Sequence, residues 1–133
     1  MLPENDGLLA DFEVKLQPSL TFKMEFEKET IRGTCDEKRA VEQAIFMILN
    51  VERYSCPLVS WNYGVEFKSL FGQPVSYCVP EIERRITEAL TQDDRIDDVR
   101  DFSFSFPQKN VIAVDFFVDT VVGVIKVGKE VSI

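Results

Sequence analysis

The C-terminal part of the chain leaves little choice of fold. In "DFSFSFPQKNVIAVDFFVDTVVGVIKV", residues 101–127, apolar side chains recur at every second position. Phe102, Phe104 and Phe106 make one row, and Ile112, Val114, Phe116 and Val118 make another. Period two places one face on a core and the other in water, as in a half-buried strand. "PQKN" turns the chain between these rows, and Val121–Val127 reads as a third strand broken by Gly123. Consecutive strands joined by short turns form an antiparallel meander, whose apolar face has to be covered.

Two amphipathic helices can cover it. "TCDEKRAVEQAIFMILN" opens with a capping-box pattern, Thr34 with Glu37 three residues on. Ala40, Val41, Ala44, Ile45, Ile48 and Leu49 then repeat at helical spacing, predicting a helix of about four turns. A second helix is expected from Pro80, a residue suited to the first helical position, with Ile82, Ile86, Ala89 and Leu90 as its apolar face. Glu81 is spaced to pair with Arg84 and Arg85. Near the N-terminus, Leu20, Phe22, Met24 and Phe26 alternate as a strand. Phe12, Val14 and Leu16 alternate before Pro18 as an edge strand or arm. The expected class is α+β: a small antiparallel sheet, made of the N-terminal strand and the C-terminal three-strand meander, against two helices. The chain reads as one domain, 1–133, with 1–19 a loosely held leader and 20–133 the folded part.

Charge narrows the function. A net charge of −8 repels a phosphate backbone, and no Lys/Arg cluster offsets it, so nucleic-acid binding is not expected. No apolar run approaches the roughly 20 residues of a membrane span, and "MLPENDGLLADFE" lacks the basic start of a secretory signal. A soluble protein made in the cytoplasm is the expectation, with no membrane partner. Cys35, Cys56 and Cys78 are odd in number and widely spaced, which fits buried thiols rather than disulfides. The chain has no histidine, which removes Ser-His-Asp and Cys-His nucleophiles and the usual zinc ligand pairs. No cofactor and no metal are expected.

Residues 53–79 lack a sustained period but hold Tyr54, Trp61, Tyr63, Phe67, Phe71 and Tyr77 among Pro57, Gly64, Gly72 and Pro74. This is an ordered aromatic connection with one short helical turn near Glu66–Leu70, and such connections are usually functional. Core filling suits Phe67 and Phe71; interface roles suit Trp61 and Tyr63.

"ALTQDDRIDDVRDF", residues 89–102, sets Asp93, Asp94, Asp97, Asp98 and Asp101 around Arg95 and Arg100. A calcium loop needs a mid-loop Gly and a closing Glu, and this stretch has neither. Solvated turn residues account for Asp97, Asp98 and Asp101. Arg95, fenced by carboxylates just past the second helix, has the rigid fork of an interface anchor. The alternative is a peptidoglycan hydrolase using Asp93, Asp97 and neighbouring Glu residues as acid and base.

"RAVEQAIFMILNVERYSCPLVSWNYGVEFKSLFG" followed by "EIERRITEALTQDDRIDDVRDFSF" resembles the XkdS-like proteins of PBSX-type defective prophages, from about Leu20 to Val127. Those are similar to the lysozyme-like baseplate wedge proteins of contractile phage tails. The wedge proteins carry Glu-Pro-Arg at the end of the second helix; here Asp93, Asp94 and Arg95 stand there, with Asp94 in place of Pro. Tyr63-Gly64 matches the aromatic-Gly element of that group. The resemblance implies a non-enzymatic baseplate component that docks onto larger wedge scaffold proteins and helps start sheath assembly by contacting sheath subunits. Asp93, Arg95, Trp61, Tyr63 and Gly64 are the implied partner-binding residues.

Overall fold

The computed structural model describes residues 19–133, so the Phe12–Leu16 arm lies outside the described residues. Two strands, β1 (Thr21–Glu25) and β2 (Thr30–Cys35), precede α1 (Glu37–Asn50). A 3-10 turn at Lys68–Leu70 leads to α2 (Val75–Leu90), and β3 (Ile96–Gln108), β4 (Val111–Thr120) and β5 (Gly123–Ser132) complete the chain. The class is α+β, with two helices and an antiparallel meander in the order β3-β4-β5. Its buried row, Ile112, Val114, Phe116 and Val118, meets Ile45, Ile48 and Leu49 of α1 and Ile82, Ile86 and Leu90 of α2 in a single apolar cluster. Phe102 stacks on Phe116 at 5.2 Å between ring centroids, carrying the first strand's aromatics onto that cluster.

The N-terminal strand does not join the meander. It pairs with β2, which shows no alternation in its sequence, as a two-stranded antiparallel sheet of its own. Gln43 of α1 holds that hairpin: its Oε1 accepts Met24 N–H at 2.8 Å, and its Nε2 donates to the Phe22 carbonyl at 2.7 Å. A side-chain amide thus satisfies two backbone groups of β1, which explains a buried glutamine on an otherwise apolar helix face.

Local signals misplaced four boundaries. Thr34 stays in β2, paired with Phe22, and the helix is capped instead by Asp36, whose Oδ1 accepts Glu37 N–H at 2.7 Å. Pro80 lies inside α2, which begins five residues earlier after Pro74. Fully buried Cys78 extends the apolar face by a turn and offsets the hydrogen bond that Pro80 cannot make. Gly123 opens the third strand rather than breaking it. It pairs with Thr120 across a two-residue turn at φ +123, and Thr120 Oγ1 donates to its carbonyl at 2.7 Å. The first meander strand also starts earlier than its Phe row, at Ile96 within the acidic stretch.

Candidate functional site

α2 ends at Leu90, and a tight loop carries the chain into β3. Asp93 N–H donates to the Leu90 carbonyl at 3.1 Å, and Ile96 N–H to the Asp93 carbonyl at 3.1 Å. The Arg95 carbonyl accepts Val121 N–H at 3.0 Å, tying the loop to the far turn of the meander. Within this frame Asp93 grips Arg95 through both carboxylate oxygens, Nε to Oδ1 at 2.9 Å and Nη2 to Oδ2 at 2.7 Å. The charged pair is mostly buried, so the guanidinium is fixed before any partner arrives. The hydrogen bonds from Arg95 hold the Asp93 carboxyl below the usual aspartate range, against the opposing effect of burial. Asp93 in turn raises the pKa of Arg95.

The other acids of the stretch act on the strand. β3 loses register with β4 between Ile96 and Asp98 and again between Arg100 and Ser103. These irregularities move the buried row from Ile96 to Val99 and then to Phe102 and Phe104, three-residue steps where a regular strand would take two. Asp98 Oδ1 accepts Val99 N–H at 2.8 Å, and Asp101 takes a positive φ of 57°. Arg100 bridges Asp101 at 2.6 Å and Asp119 of β4 at 2.8 Å. Asp94 and Asp97 are exposed. Asp97, Asp98 and Asp101, expected to be solvated turn residues, are exposed to solvent but belong to β3 rather than to a turn.

Tyr63, Gly64 and Asp93 line one surface depression of ≈ 300 Å³, together with Ser60 and Gln92. Burial raises the Tyr63 pKa, Asp93 raises it further, and Arg95 opposes them. Gly64 sits at φ +96, where an added Cβ would lie 2.4 Å from the Val51 carbonyl oxygen. Its neighbour Val65 donates N–H to that same oxygen at 2.9 Å, so the aromatic connection passes against the end of α1. Glu52 fixes the next stretch by accepting Phe67 N–H and Lys68 N–H, each at 3.1 Å. Arg85 of α2 donates to the Glu66 carbonyl at 2.8 Å. None of these anchors is visible as a motif, because their partners lie far along the chain.

Trp61 stands apart from this depression. It is 77% exposed, meets Tyr54 in a tilted ring contact at 5.6 Å between centroids, and lines a neighbouring hollow of ≈ 330 Å³. Leu58, which no sequence pattern singled out, is 92% exposed on the same loop. Phe67 packs against the core as expected, but Phe71 is 59% exposed, since the 3-10 turn buries Leu70 instead. Among the described residues the three cysteines are free, and no cluster of His, Cys, Asp or Glu is placed to hold a metal ion. No helix there is long and apolar enough to cross a membrane.

An α+β domain with a pre-fixed ion pair at one loop and unburied aromatics on the next has the features of a structural protein that meets other proteins. The sequence profile of the contractile injection system sheath initiator family matches residues 11–123. The chain is also 33% identical to the phage-like element PBSX protein XkdS of Bacillus subtilis (strain 168), over 92% of this chain and 91% of that protein. It belongs to the contractile injection system sheath initiator family, a structural component of phage-type contractile tails.

Proposed function

We propose that the protein is a non-enzymatic part of the baseplate wedge, docking onto larger wedge scaffold proteins and helping to initiate the sheath by contacting its subunits. The observation that carries this reading is the Asp93–Arg95 pair. Two of the guanidinium's nitrogens are committed to Asp93, and no hydrogen bond among the described residues occupies Nη1. A fork held this way suits backbone carbonyls or a carboxylate on a partner, with little ordering left to do on binding. Trp61, Tyr54 and Leu58 offer apolar area on the adjoining loop, and Tyr63 and Gly64 shape the hollow beside Asp93. Membership of the sheath initiator family supports the same assignment.

A paired-carboxylate hydrolase gains no such support. The general acid of such a pair needs a raised pKa, and hydrogen bonds from Arg95 push that of Asp93 down, which unsuits Asp93 for the acid role.

The test is a pull-down from a lysate of induced particles with wild type and Arg95→Glu, both confirmed folded by circular dichroism and a melt. Wild type should retain a large baseplate protein that the variant loses. Equal retention by both would remove Arg95 from the interface, and retention of no tail protein by either would overturn the wedge reading.

A further inference from the structure

The two-stranded sheet leaves an apolar face uncovered among the described residues. Phe22 and Ile31 are 72% and 68% exposed, and Leu20, just before β1, is 63% exposed. Phe26 reaches Phe46 of α1 at 4.3 Å between ring centroids, yet both rings remain exposed. Beside them a cleft of ≈ 480 Å³ runs between β1 and the first turns of α1, with Met24 and Phe26 from one side and Lys38, Arg39 and Glu42 from the other. Lys38 and Arg39 occupy the first turn of α1, where a cation opposes the helix dipole. Both are exposed, and neither side chain forms an ion pair or hydrogen bond among the described residues. The cleft therefore sets apolar side chains opposite two uncompensated cations, with Glu42 the single carboxylate among them.

We propose that this cleft is the seat of the chain's own residues 11–16, "DFEVKL". In that segment Phe12, Val14 and Leu16 alternate with Asp11, Glu13 and Lys15. An extended segment turns the two rows to opposite walls. The apolar row meets Phe22, Met24 and Phe26, and Asp11 and Glu13 supply the carboxylates that Lys38 and Arg39 lack. Length fits as well: Phe12 stands seven residues before Ser19 and Phe26 seven after it, so a reversal at Pro18 lays one beside the other. The match to the sheath initiator family begins at residue 11 and so includes the segment. Pairing as a third strand on β1 is closed at its centre, because Gln43 already holds Met24 N–H and the Phe22 carbonyl. Side chains rather than a strand ladder hold the segment. A tether of a few residues gives it an effective concentration in the millimolar range, which a second copy or a free partner does not have. The net charge of −8 further disfavours a second copy. This docking is a property of the isolated chain and does not depend on the baseplate reading.

The purified full chain is treated at low concentration with a water-soluble carbodiimide, which joins a carboxyl to an amine in contact with it. Peptide mass spectrometry of the monomer then locates the links. Asp11 or Glu13 should be joined chiefly to Lys38. The double substitution Phe12→Ser and Val14→Ser keeps both carboxylates and the tether, so a loose segment would link as before. A seated one should lose about tenfold in yield. Arg39→Glu is an exposed change that leaves Lys38 and the segment intact, and it should lower the same link severalfold. Melting curves confirm that each variant is folded. An unchanged yield in either folded variant, links spread evenly over Lys23, Lys109 and Lys126, or no link to Lys38 would each overturn the proposal. A link confined to cross-linked dimers would overturn it in favour of a second copy as the occupant.

Discussion

Asp93 receives Arg95 three times: from its backbone N–H at 3.0 Å, from Nε at 2.9 Å and from Nη2 at 2.7 Å. The loop is thereby closed by side-chain and backbone bonds within three residues. Because the guanidinium lowers the Asp93 pKa in the fold, the bonds stabilise the protein above the unfolded aspartate pKa of about 3.9. That stability is lost as pH falls through the lower, folded value. Asp93→Asn should cost roughly 1–2 kcal/mol at pH 7, and the gap to wild type should close below about pH 4. Thermal melts of both proteins across that range check the sign.

Gly64 tolerates no side chain for two reasons at once, a positive φ and the Val51 carbonyl oxygen 2.4 Å from where Cβ would be. Gly64→Ala should destabilise by about 3 kcal/mol, since the obstacle is backbone and cannot swing aside. Gly33→Ala, at φ +73 with nothing within 4 Å, should cost only about 1 kcal/mol. Urea titration of the two variants gives the comparison, and equal losses would show that the close approach to Val51 is unimportant.

Gln43→Leu keeps the volume but orphans Met24 N–H and the Phe22 carbonyl. The expected loss is about 2 kcal/mol, concentrated in the β1–β2 hairpin. Amide exchange should quicken across residues 21–35 and stay slow in the meander. Uniform quickening would mean that the hairpin and the main core unfold together.

Trp61→Ala should leave the unfolding free energy within about 0.5 kcal/mol of wild type, because the side chain is mostly in water and touches chiefly Tyr54. Incorporation into particles should fall if this loop docks. A large loss of stability with normal incorporation would assign Trp61 to folding instead.

The period-two rows at Ile112–Val118 and the period of α1 were legible because each residue's environment follows from its neighbours in sequence. The start of α2 was not. Pro80 looks like a first-turn residue until Cys78 is seen buried on Leu70 and Ile82, contacts that belong to the assembled core. The start of β3 was hidden for a related reason: its irregular register breaks the alternation by which strands are recognised.

Of the candidate site, Asp93 and Arg95 could be named from the sequence because they are two residues apart and opposite in charge. Exposure is another matter. Trp61 and Phe71 lie in water while Tyr63 and Phe67 pack against the core, a division set by Glu52 and Arg85 holding the connection from elsewhere in the chain.

The sequence by itself determined the α+β class, the two helices and the meander, since periodicity is a local property of the chain. Only the tertiary structure decided that the N-terminal strand forms its own sheet on Gln43, that Tyr63 and Gly64 meet Asp93, and that Lys38 and Arg39 share a cleft with Met24 and Phe26. Each of these joins groups distant along the chain, and such contacts are set by packing and hydrogen-bond satisfaction, which no run of neighbouring residues encodes.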